Sequence, residues 1–200
     1  MTRTLFCSQH SLSRRVTLLF LILGILLPFL LLQLKQYKKN ALPVLGQISE
    51  FTLLGEDGKS FTEKNMLGKI WVADFIFTTC AGPCPIMTQK MSELMGEFSD
   101  TPQIQCVSVS VNPDYDTPDI LKKYGEKYKA NFSRWHFLTG QRKDIHRLSV
   151  EGFKLGSIDN PVFHSDRFVL MDSALRIRGY YDVQDAEDFK KLKKDIHGLM

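Results

Sequence analysis

From Val16 to Leu34 the chain carries no charged residue: VTLLFLILGILLPFLLLQL. A helix of that length spans roughly 28 Å at about 1.5 Å per residue, the thickness of a bilayer's hydrocarbon core. Pro28 is tolerated in a spanning helix. A cleaved signal peptide would have a shorter apolar region ending in small residues, whereas this run ends in Leu34-Lys35-Gln36-Tyr37-Lys38-Lys39. The pattern predicts an uncleaved transmembrane anchor over 16–34, after an N-terminal tail over 1–15. Arg3, Arg14 and Arg15 precede it and Lys35, Lys38 and Lys39 follow it, so charge alone does not orient it. The acid-free, Arg-containing leader also matches a short mitochondrial presequence, which is the lesser reading.

Beyond a tether at 35–46, the pattern alternates between strand and helix periods. Phe51, Leu53 and Phe61 flank an Asp57-Gly58 turn pair and predict a hairpin. Ile70–Phe77 (IWVADFIF) is a nearly unbroken apolar run, the signature of a central strand covered on both faces. Met87, Met91, Leu94 and Phe98 then form one stripe of a helix from Pro85 to Phe98. Ile104–Val111 alternates as a strand. Thr117 reads as an N-cap before Pro118, with Ile120, Leu121, Tyr124 and Tyr128 facing inward. Arg134–Thr139 predicts a strand and Gln141–Val150 a short helix. Phe168–Met171 and Leu175–Tyr181 predict a hairpin about Asp172-Ser173, and Asp185–His197 a final helix. The order is that of an α/β, thioredoxin-like domain over 47–200: a mixed sheet with helices on both faces, led by an added hairpin.

Composition adds little to this picture. The 200 residues are 44% hydrophobic and 24% charged, which excludes general disorder. Three of the 26 basic residues and none of the 22 acidic ones precede position 35, so the body is near neutral and nucleic acid is not expected as a partner. Four cysteines are too few for a disulfide-stapled mini-protein.

The chemistry concentrates in Thr78-Thr79-Cys80-Ala81-Gly82-Pro83-Cys84-Pro85, where the apolar strand hands over to a helix. Strand ends of open α/β sheets are where ligands bind. Pro83 and Pro85 bias their predecessors away from helical angles, which predicts a helix start at Pro85 with Cys84 as cap. Both sulfurs then lie near the helix's positive end, which favours thiolate, the form that attacks disulfides and binds soft metals. Three residues separate the cysteines, one more than in thioredoxin-type C-x-x-C. The wider loop permits a disulfide and also gives two thiolates room for one ion. Inert packing in a buried turn is the rival reading. Cys106 sits within an alternating strand and reads as core, while Cys7 precedes the anchor. Among the histidines, His10 precedes the span, His197 is at a mobile C-terminus, His146 reads as a solvated helix face and His136 as an ordinary strand residue. His164 lies in the irregular stretch 159–165 before the second hairpin. It reads either as a third ligand or as a plain loop histidine.

With these residues in place, the chain resembles the Sco/SenC family of membrane-anchored copper chaperones for cytochrome c oxidase. The likeness is carried by Asp74–Pro85 (DFIFTTCAGPCP), by Ser108–Pro113 (SVSVNP) leading to Asp116-Thr117-Pro118, and by His164-Ser165 before the strand Arg167–Met171. The resemblance implies that Cys80, Cys84 and His164 are copper ligands for one Cu(I) or Cu(II) per chain. It implies a copper-accepting oxidase subunit as partner, a copper donor or reductant upstream, and a body in the periplasm or, in a eukaryote, the mitochondrial intermembrane space. The family often has Asp where this chain has Asn112. Two thiolates and an imidazole suit copper, and could also hold zinc with an open fourth position.

Three functions compete. The first is a copper carrier for the dinuclear copper site of the oxidase, a role that can coexist with reduction of that site's cysteines before loading. The second is a membrane-tethered thiol-disulfide oxidoreductase using Cys80 and Cys84 as a redox-active pair. The third, a thiol peroxidase, is disfavoured, because its P-x-x-x-[ST]-x-x-C pattern meets Ala73 and Phe77 here.

Overall fold

The computed structural model describes residues 42–155 and 166–200, together with Gly24, Leu26 and Pro28. The expected anchor lies outside the described residues except at those three positions, which are helical. Among the described residues no helix is long and apolar enough to cross a membrane. Leu42–Met200 form one compact unit.

In chain order the unit contains β1 (Gly46–Gln47), β2 (Thr52–Gly55), β3 (Ser60–Thr62), a 3-10 turn (Glu63–Met66), β4 (Ile70–Ile76) and α1 (Cys84–Glu97). There follow β5 (Ile104–Ser110), α2 (Pro118–Lys127), β6 (Trp135–Thr139), α3 (Arg142–Arg147) continued by a π turn (Leu148–Gly152), β7 (Arg167–Met171), β8 (Arg176–Asp182) and α4 (Ala186–His197). The strands form one mixed sheet in the order β1-β8-β7-β4-β5-β6-β2-β3. The parallel pairs β4–β5 and β5–β6 arise from crossovers through α1 and α2, and the remaining pairs are antiparallel. This is the thioredoxin-like α/β architecture the pattern predicts.

β4 is buried at every position, as its apolar run requires. Its side chains alternate between two cores. Val72 and Ile76 pack with Met87, Met91 and Leu94 of α1, Leu121 of α2 and Phe189, Leu192 and Ile196 of α4. Trp71, Ala73 and Phe75 face Phe51, Phe61, Ile145, Leu148 and Phe153 on the other side. The Trp71 indole donates to the Met66 carbonyl at 2.7 Å, which ties the first hairpin's end to the sheet. Gly58, at φ +74°, turns that hairpin where a side chain would be strained.

Several boundaries differ from expectation. α1 starts at Cys84 rather than Pro85, because Pro83 itself adopts helical angles and serves as the cap. Pro85 is then accommodated in the first turn, where no N–H is needed. Arg134 stays outside β6. Its guanidinium turns back to donate to the carbonyls of Phe98, Ser99, Thr101 and Ile104 at 2.8–3.2 Å, closing the end of α1. The helix expected to Val150 is α-helical only to Arg147 and then widens to the π turn.

Candidate functional site

The central strand ends at Ile76 and α1 begins eight residues later, so Cys80 lies in the connecting loop and Cys84 in the first helical turn. The Cys80 N–H donates to the Phe77 carbonyl at 3.2 Å, and the Gly82 N–H donates to the Cys80 Sγ at 3.3 Å. Cys80 is half-buried, whereas Cys84 is 2% exposed, and both are free thiols. The Thr88 hydroxyl donates to the Cys84 carbonyl at 2.8 Å.

Burial, with a smaller contribution from the neighbouring Cys80, pushes the Cys84 thiol up to about 12. The expectation that the helix start favours thiolate at both sulfurs is therefore corrected at Cys84. Desolvation of a charge outweighs the helix dipole once the thiol is inside the first turn rather than in front of it.

Asp74 was hidden within an apparently apolar strand. It is fully buried, and neither carboxyl oxygen has a hydrogen-bond partner among the described residues. Burial pushes it up to about 7, only partly offset by the Ser108 hydroxyl, which is near enough to lower it without making a hydrogen bond to it. Its charge in turn helps raise Cys84, Cys106 and Tyr124. The available signal was the lone carboxylate in a run that had to be covered on both faces.

The other candidates sort as follows. Cys106 is fully buried in β5, with its Sγ 3.0 Å from the Met95 Sδ, and burial holds its thiol well above the usual range. It is core, as read. His136 lies 3.4 Å from the Glu56 carboxylate and stacks at a tilt on Phe61 and Trp71, away from the cysteines. His146 is on α3. His197 is the last residue of α4 and packs on Phe98, with ring centroids 5.1 Å apart, rather than forming part of a loose end. Asn112 uses its backbone, donating to Ser110 Oγ at 3.1 Å and accepting from the Tyr115 and Asp116 N–H groups. Cys7, His10 and His164 lie outside the described residues. Among the described residues no group of three His, Cys, Asp or Glu side chains is gathered to hold a metal.

The family model described as SCO1/SenC matches residues 44–200. The chain belongs to the SCO1/SenC family. The SCO1 protein homolog of Bacillus subtilis (strain 168) is 32% identical to this SCO1/SenC chain over 160 residues, 77% of this chain and 83% of that protein. A solved structure of BsSco, described as having a disulfide switch and as a member of the Sco family of cytochrome c oxidase assembly proteins, matches with a TM-score of 0.70. It is 28% identical and covers 80% of this chain and 97% of that one. Yeast Sco1 with copper bound has the same fold, with a TM-score of 0.64 at 23% identity over 79% of this chain and 91% of that one.

Proposed function

We propose that this SCO1/SenC chain is a membrane-tethered copper carrier. Cys80, Cys84 and His164 hold one copper ion per chain and pass it to the copper-accepting subunit of cytochrome c oxidase. The observation that carries the reading is the placement of both cysteines where the central strand hands over to α1, Cys80 in the connecting loop and Cys84 in the first helical turn. Two thiolates form a soft donor set suited to Cu(I), and an imidazole adds the nitrogen that Cu(II) prefers. Copper binding must displace the Cys84 proton, so uptake releases acid. β7 runs antiparallel to β4, with Ala73 opposite Val169, so Arg167 at its start lies at the end of the sheet from which the cysteine loop leaves. His164, three residues earlier, is the natural third donor. The apolar run 16–34 serves as the anchor, and the domain faces the periplasm, or the intermembrane space in a mitochondrion.

Anaerobic titration of the reduced full chain in detergent tests this, with metal analysis after desalting. Wild type is expected to retain one copper per chain, while Cys80→Ser and Cys84→Ser retain none. Full stoichiometric binding by either serine variant would remove these ligands.

A second reading is favoured by the contrast between a half-buried Cys80 and a buried Cys84. That is the arrangement of an attacking and a resolving thiol. The Cys80 thiolate attacks a target disulfide and expels one target thiol. Cys84, losing its proton, then attacks the Cys80 sulfur, releasing the second target thiol and leaving the Cys80–Cys84 disulfide. Reduction of an oxidised copper-site domain without any copper transfer to it would select this reading.

A further inference from the structure

Asp116 is fully buried one residue before the cap of α2, yet it faces the loop that carries the cysteines. Three donors converge on its carboxyl group from two other segments. The Thr78 N–H donates to Oδ2 at 3.1 Å and the Thr78 hydroxyl to Oδ1 at 2.5 Å. The Ser110 hydroxyl, at the end of β5, donates to Oδ2 at 2.5 Å. The ends of β4 and β5 and the entry to α2 are thus joined through one side chain. Thr78 is two residues before Cys80, and the intervening turn is closed by the Cys80 N–H on the Phe77 carbonyl.

The downstream side of the loop is referred to the same helix. The Tyr124 hydroxyl lies 2.9 Å from Thr88 Oγ1, and Thr88 in turn donates to the Cys84 carbonyl. Both flanks of the cysteine pair are therefore held from α2 and the residue that leads into it. We propose that Asp116 is a positioning residue for the Cys80–Cys84 pair, acting through Thr78 to hold the loop that carries Cys80 against the start of α1 that carries Cys84. A carboxylate can accept from all three donors, whereas an amide of the same shape presents an N–H₂ to one of them. Loss of the anchor leaves the loop free to sample conformations in which the sulfurs are apart, and the effective concentration of one thiol at the other falls.

This inference rests on Cys80 and Cys84 acting as one pair, and its readout is independent of copper. The full chain in detergent is equilibrated with mixtures of reduced and oxidised glutathione. The two thiols lose two protons and two electrons to form the Cys80–Cys84 disulfide, and glutathione disulfide takes both up as two glutathione thiols. The fraction oxidised is read by mass spectrometry on the peptide carrying both cysteines, after alkylation. Asp116→Asn and Thr78→Val are expected to lower the disulfide equilibrium constant by about tenfold or more, and Thr78→Ser to restore it. Melting temperatures are measured on reduced and oxidised forms in parallel. Equilibrium constants within about twofold of wild type, with melting lowered equally in both forms, would reduce Asp116 to a structural role and overturn the proposal. So would a Thr78→Ser variant that behaves like Thr78→Val. If Asp116→Asn does not fold, the Thr78 pair decides alone. A wild-type pair that never oxidises overturns the positioning role, whereas normal oxidation without copper binding overturns only the copper reading.

Discussion

A carboxyl group with no hydrogen-bond partner is expensive to ionise inside a sheet, and among the described residues neither oxygen of Asp74 has one. Its folded-state pKa of about 7 stands above the ordinary 3.8. Between these values the folded protein holds a proton that the unfolded chain has released, so stability falls as pH rises from about 4 to 7 and then levels off. The full span corresponds to about 4 kcal/mol. Asp74→Asn removes the titration. Its melting temperature is expected to depend less on pH than that of wild type between pH 4 and 8, and to gain relative to wild type at the alkaline end. Parallel melting profiles would show that Asp74 finds a partner in the folded state.

At the scale of elements, α2 has little room on its inner face. A Cβ built on Gly125 would lie 2.8 Å from Phe132 Cε1 and 2.8 Å from Phe137 Cε2. Replacing a helical glycine with alanine gains up to about 1 kcal/mol in propensity. Driving a methyl group into two packed rings costs about 1–3 kcal/mol, because neither ring can move without disturbing the core. Gly125→Ala is therefore expected to destabilise by about 1–2 kcal/mol, read as a lower denaturant midpoint at unchanged slope. A gain in stability would mean that the rings yield. The elements themselves were legible in periodicity: Met87, Met91 and Leu94 are all buried as the α1 stripe requires. Their ends were less so. The start of α1 depended on the angles Pro83 adopts, and proline's local bias does not choose between entering a helix and preceding it.

At the scale of the molecule, the sheet brings together parts distant in sequence. β7 lies beside β4, which places the entry to β7 near the cysteine loop. The expected consequence is that His164→Ala loses Cu(II) binding while keeping Cu(I), since two thiolates alone can hold the reduced ion. Loss of the thiolate-to-Cu(II) absorption band with Cu(I) stoichiometry intact would bear this out. An unaltered band would exclude His164 from the site. The sheet's outer strands, β1 and β3, are only two and three residues long, which leaves little exposed edge for pairing with other chains.

The sequence by itself determined the alternation of strands and helices, the all-buried central strand and the location of the paired cysteines. These follow from local periodicity and from residue chemistry within a few positions of one another. It also marked Asp116-Thr117-Pro118 as a helix entry, and the Thr117 side chain does cap α2. Only the tertiary structure decided that Cys84 is buried and hard to deprotonate, that Asp74 is fully buried with no hydrogen-bond partner among the described residues, and that Asp116 reaches across 38 positions to Thr78. The physical reason is common to all three. Desolvation and hydrogen-bond partnership depend on what the neighbouring strands and helices bring against a side chain, and that is set by the order of the sheet rather than by any stretch of the chain.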